Sequence, residues 1–105
     1  MVDATRHFLV LGTDAPGRAA LRQRLRPTHR AWLRDHPGHA VTVLHGGPTL
    51  DGEGQMNGTL LIISAAEESQ VRSFLDADPY VQNGLFAGVV VREWMWSLRM
   101  PEVPA

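Results

Sequence analysis

The chain has 105 residues, no cysteine, and ten basic side chains set against eleven acidic ones, a formal net charge of −1. That length fits one domain, spanning 1–105. The lack of cysteine removes disulfides, thiolate nucleophiles and Cys-based metal sites, and the balanced charge argues against a nucleic-acid partner.

All ten basic residues are arginine, so lysine Schiff-base and lysine general-base chemistry are excluded as well. Met1–Arg6 has no apolar core of signal-peptide length. No stretch approaches the roughly 18 apolar residues of a membrane-spanning helix. The expected location is the cytoplasm, with no membrane partner.

The first predicted element is a short, fully buried strand over His7–Gly12 (HFLVLG), ended by the turn cluster Gly12-Thr13-Asp14. Thr13 or Asp14 is available to cap a helix running from Arg18 to about Asp35. On a helical wheel Leu21, Leu25, Thr28 and Trp32 share one side, with Arg24 and Arg30 elsewhere. Pro27 predicts a kink near Leu25–Arg26, and His36-Pro37-Gly38 predicts the helix stop.

Val41–His45 (VTVLH) reads as a second strand closed by a Gly46-Gly47-Pro48 turn, followed by a polar, glycine-rich loop from Thr49 to Gly58. That loop lacks the alternating oxygen ligands and closing glutamate of a calcium site. Thr59–Ala65 is a third strand, apolar on both faces, and Glu67–Ala77 a second helix with Val71, Phe74 and Leu75 on one side. Asp78-Pro79-Tyr80 opens one further turn, Phe86–Leu98 is a long last strand, and the tail, about 99–105, is expected to be loose.

The order βαββαβ predicts an α+β, ferredoxin-like fold: a four-stranded antiparallel sheet with two main helices on one face. A domain this small buries only about 60–70% of its unfolded surface. The bare sheet face would expose a large apolar patch, so a homodimer closed through that face is the expected assembly.

Several residues could carry chemistry, each with a structural alternative. His29 could be a hydrogen-bonded core histidine or a general acid/base, since imidazole titrates near neutral pH. Asp78 before Pro79 is a familiar helix cap, yet a carboxylate held there could also orient an imidazole. Arg22 and Arg26 are either solvated or an anion clamp. Gly46-Gly47-Pro48 is a turn whose amides could meet an oxyanion. His36, His39 and His45 lack a completing carboxylate, so no metal is expected. Trp94 and Trp96, two apart, are placed on one face as core or interface residues, with a stacking platform as the alternative. Basic and aromatic residues are not interleaved on the central strands as in an RNA-recognition sheet.

Taken together, Arg22-x-x-x-Arg26-Pro27-x-His29, Gly47-Pro48, and Asp76-Ala77-Asp78-Pro79-Tyr80 with Gly84-Leu85 resemble the YciI-like (YCII-related) family. The likeness covers roughly His7 to Trp96. It implies the ferredoxin-like fold, dimers of the dimeric α/β-barrel type, and a cleft whose His–Asp pair maps onto His29 and Asp78. Arg22, Arg26, Gly47, Pro48 and Tyr80 then become the substrate contacts, and Thr59 supplies a hydroxyl where many members have serine. The family's members are mostly of unknown function, and a relative is a dehydrochlorinase in chloroaromatic degradation.

The implied activity is a cofactor-independent lyase or isomerase acting on a small anionic cyclic or aromatic molecule. The alternative is a non-catalytic dimer that binds a small ligand. Haem-dependent oxygenase chemistry on the same fold would rest on fold analogy alone.

Overall fold

A computed structural model describes residues 5–98. Alternating apolar residues form β1 (Arg6–Asp14), β2 (Thr42–Leu50), β3 (Met56–Ala65) and β4 (Phe86–Trp94). Stretches with helical spacing form α1 (Ala19–Arg34), α2 (Glu68–Asp76) and the one-turn α3 (Pro79–Gln82). The sheet is antiparallel throughout, in the order β2-β3-β1-β4. This is the ferredoxin-like α+β arrangement expected from the element order, with α1 crossing over β3 and α2 crossing over β1.

Alternation assigns the two faces. On β1, Phe8 and Val10 are buried beneath the helices, opposite Ile63 and Leu61 of β3. Val71, Phe74 and Leu75 of α2 complete this core. Leu9 and Leu11 face the other way, beside Ile62, Leu60, Arg92 and Val90. No described helix covers that side; Ile62 is buried there, but Leu60, Val90 and Trp94 remain exposed. β1 is therefore buried on one face only, not on both.

Several boundaries differ from the sequence reading. The Gly46-Gly47-Pro48 segment is not a turn but the middle of β2, which continues to Leu50. Proline is tolerated because β2 is an edge strand, where one side of the backbone needs no ladder partner. Only 51–55 remains as loop, with the Asp51 carboxylate accepting the amides of Glu53 (2.8 Å) and Gln55 (3.0 Å). β4 stops at Trp94 rather than Leu98, because its partner β1 offers its last pairing at His7. Trp96 thus lies beyond the strand, its ring 4.1 Å from that of Trp94 and edge-on to His7 and His45. The 99–105 tail lies outside the described residues.

Helix α1 runs through Pro27 as one element, and Arg18, with no side-chain cap, occupies its N-cap position. Neither Thr13 nor Asp14 caps it: both belong to β1. Its deeply buried residues are Arg22 and His29 rather than the Leu21–Leu25–Thr28–Trp32 stripe, and Thr28 is exposed. His36, at the helix stop, is half-buried and lies 2.9 Å from the Trp32 carbonyl and 3.1 Å from that of Val41. It ties the end of α1 to the start of β2.

Candidate active site

A cavity of about 350 Å³ opens between α1 and the edge strand β2, with Thr59 and Tyr80 at one end. A β-bulge at Leu44 shifts the register of β2, so that Val43 faces Ile63 while His45 faces Ile62. That shift sets Gly46 opposite Leu61 and Pro48 opposite Thr59. A side chain on Gly46 would meet the Leu61 methyl at 2.9 Å, so glycine lets the strand pass close over the core here.

α1 supplies the opposite wall. His29 is only 3% exposed yet lines the cavity. Its Nε2 lies 2.9 Å from Asp78 Oδ2, and Asp78 is 1% exposed behind it. Against an ionised carboxylate, which only accepts, Nε2 is the donor, and a neutral ring in that tautomer has its lone pair on Nδ1. Nδ1 has no hydrogen-bond partner among the described residues.

Asp78 has a second task. Its Oδ1 accepts the Tyr80 amide at 2.7 Å, which caps α3, with Pro79 in the first helical position. Capping and imidazole orientation, alternatives in the sequence, are shared between the two oxygens of one carboxylate. Gly84, at φ 71°, ends α3 in the left-handed region that favours glycine. It turns the chain so that the Leu85 amide donates to the Tyr80 carbonyl at 3.0 Å.

Tyr80 stacks on the His29 ring, with centroids 3.8 Å apart and planes 13° from parallel. Phe86 supports it edge-on at 5.8 Å, and Phe86 in turn fills the space a side chain on Gly12 would need. Burial pushes the Tyr80 phenol pKa above its ordinary value, outweighing the pull of Arg22 and Arg26 toward phenolate.

The guanidinium of Arg22, 3% exposed, lies 4.8 Å from the centre of the Tyr80 ring. It donates to both carboxylate oxygens of Asp14, at 2.7 and 2.8 Å, and to the Thr59 hydroxyl at 2.8 Å. Burial works against the charge on Arg22, but the Asp14 hydrogen bonds and charge prevail and its pKa is raised.

Of the residues singled out in the sequence, His29, Arg22, Arg26, Gly47, Pro48 and Tyr80 all line this one cavity, and Asp78 stands directly behind it. The structure adds Asp14, hidden in the sequence as a turn residue, and Arg30, which the wheel had set apart from the buried side. Nothing local marks Asp14, since its partner is eight residues away on another element. Arg30 shares the 22–26–30–34 spacing of four, and that repeat was the signal available for it. No group of three or more potential metal ligands exists among the described residues. No described helix is long and apolar enough to cross a membrane.

Residues 7–95 match the model of the YCII-related domain. The chain belongs to the YCII-related family. The solved structure of the 5-chloro-2-hydroxyhydroquinone dehydrochlorinase TftG from Burkholderia phenoliruptrix AC1100, in complex with 2,5-dihydroxybenzoquinone, is 31% identical to it. That likeness covers 87% of this chain and 95% of TftG, with a TM-score of 0.76.

More distant structures share the fold alone. PA3566 from Pseudomonas aeruginosa is 14% identical at a TM-score of 0.56, over 93% of this chain and 99% of that one. SnoaB, a cofactor-independent oxygenase from Streptomyces nogalater, is 13% identical at 0.53, over 95% and 100%. No curated protein matches the chain significantly.

Proposed function

We propose that this YCII-related protein is a cofactor-independent lyase that eliminates a leaving group from a small, anionic, hydroxylated ring. The observation that carries the reading is the division of the Asp78 carboxylate, with Oδ1 locked on its own helix and Oδ2 on His29 Nε2. A carboxylate held that way fixes the tautomer of the imidazole and stabilises the imidazolium formed when Nδ1 takes a proton.

In the proposed step the ring binds as its keto tautomer, and Nδ1 removes an acidic C–H proton beside a carbonyl, from the carbon next to the one that bears the leaving group. The released electron pair becomes a ring π bond, and the leaving group departs with its own bonding pair. The imidazolium afterwards gives its proton to solvent. Chloride is the proposed leaving group, by kinship with TftG, which is named for that elimination.

Arg26 lines the cavity and makes no ion pair with a carboxylate among the described residues, so it is the side chain assigned to a ring oxyanion. Arg22, already bound to Asp14 and Thr59, positions Tyr80 instead. Gly47 and Pro48 form the facing wall. The cavity lies within the usual size range of small-ligand sites, about 300–1,000 Å³.

The open sheet face, with Leu60, Val90 and Trp94 exposed, is assigned to a second copy of the chain.

Chloride release from 5-chloro-2-hydroxyhydroquinone by wild type, His29→Gln and Asp78→Asn tests the reading. Release by wild type that both variants lose supports it. Equal release by His29→Gln would sink the acid/base role. Binding of the ring compound without any release would make the protein a ligand-binding member of the family.

A further inference from the structure

We infer that Arg30 and Arg34 form a second anion subsite in the same cavity, so that the substrate bears a carboxylate on an arm beyond its reacting ring. The inference takes its location from the acid/base reading above, but its chemistry rests on α1 itself.

That helix contains five arginines and no acidic residue. Arg22 is neutralised by Asp14. The next three members of the spacing, Arg26, Arg30 and Arg34, all line the cavity. None of them makes an ion pair with a carboxylate among the described residues. No aspartate or glutamate lines the cavity either.

Like charges four apart on a helix repel and destabilise it. Exposed helices ordinarily relieve this with interspersed acids, as α2 does with Glu68 and Arg72 at 3.3 Å. Arg34 gains something from its place in the last turn, where the helix dipole favours a cation. Arg26 and Arg30 have no such offset. Arg30 and Arg34 are exposed, and arginines without a carboxylate partner along one wall of a cleft are what a multiply charged anion would complement.

The geometry also sets the substrate's extent. From Arg22 to Arg34 the helix advances about 18 Å at 1.5 Å per residue. His29 lies part-way along, with Tyr80 and Thr59 towards the Arg22 end. At the other end Leu33 comes close to Gly46 of β2. A single ring held at His29 and Arg26 leaves the Arg30–Arg34 end unfilled. An arm carrying a carboxylate would reach it, and the apolar side chains of Leu33 and Val43 in the lining suit the carbon atoms between.

The test is a matched pair of probes, 2,5-dihydroxyphenylacetate and its uncharged amide, titrated by calorimetry against wild type, Arg30→Gln/Arg34→Gln, Arg24→Gln and His29→Gln. The wild type should bind the acid about tenfold more tightly than the amide, and added salt should shrink that preference. The double variant should lose the preference while binding the amide unchanged. Its thermal stability should be equal or higher, because two repelling charges are gone.

Arg24→Gln, outside the cavity, and His29→Gln should both keep the preference. Equal affinity for acid and amide in the wild type would overturn the inference, and so would a preference that survives in the double variant. Absence of chloride release by the wild type, with its preference for the acid intact, would count against the lyase reading alone.

Discussion

Under α2 the sheet meets Val71, Phe74 and Leu75, while under α1 and α3 it meets Arg22, His29, Asp78 and Tyr80. Both regions are buried to a similar degree within one layer, yet they hold together differently. The α2 side depends on apolar area, which is non-directional and tolerates small shifts. The α1 side depends on polar groups matched oxygen by oxygen, Arg22 with Asp14 and His29 Nε2 with Asp78, and those bonds make burial tolerable there. Damage on the first side should therefore appear as lost stability, and damage on the second as lost chemistry.

The largest expected effect lies on the polar side. His29→Gln and Asp78→Asn should each lower turnover by about 10²- to 10⁴-fold, the usual worth of a general acid/base. Asparagine caps a helix about as well as aspartate. Asp78→Asn should therefore leave the denaturation midpoint near wild type, which separates the carboxylate's proposed catalytic task from its structural one.

Next comes the apolar side, where Phe74→Ala should cost about 3–5 kcal/mol. Chemical denaturation followed by tryptophan fluorescence reads it directly, because Trp32 stacks on Phe74 at 5.4 Å. Because Trp32 belongs to α1, this stack joins the two regions, and normal kcat in the folded fraction of the variant would show that the contact carries stability and not chemistry.

A smaller loss, about 2–3 kcal/mol, is expected for Arg22→Gln, which leaves the Asp14 carboxylate without its charged donor. The same variant removes the cation over Tyr80, so kcat should fall along with stability. Unchanged kcat in Arg22→Gln would show that the network merely supports the fold.

The mildest expectation concerns pH. Tyr80 is the only tyrosine in the chain, so ultraviolet difference titration reports on it alone. Its folded pKa is raised by burial above the unfolded value of about 10. The folded state therefore holds the proton longer than the unfolded state does. The resulting stability is fully present below about pH 10 and is lost as pH rises through the folded pKa. A phenol that titrates at its ordinary value in the folded protein would contradict the sealed stack on His29.

How much of this was legible in the sequence depended on the range of the interaction. Strand and helix types came through because periodicity is local: Val89 and Val91 alternate with Val90 and Arg92 as read. The extent of β2 was misread because glycine and proline signal turns wherever tertiary pairing does not override them, and the edge position of β2 does so here. The end of β4 was misread because it depends on where β1 begins, and Trp94 and Trp96 do not share a strand for that reason.

His29 and Asp78 stood out only through the family motif, since they lie 49 residues apart. Asp14 and Arg30 were missed because one needed a cross-element partner, and the other needed the true rotation of α1. The wheel followed leucines, whereas the helix turned its Arg22–His29 stripe inward to meet waiting carboxylates on β1 and at the start of α3.

By itself, then, the sequence determined the order of elements, the ferredoxin-like class and the family, because these follow from local periodicity and a motif that spans most of the chain. It also excluded cysteine and lysine chemistry outright. Only the tertiary structure decided which face of α1 is buried, that one carboxylate serves both a helix and an imidazole, and that four arginines line a cavity free of acidic residues. Those facts depend on distances between elements far apart in the chain, and hydrophobic periodicity does not carry that information.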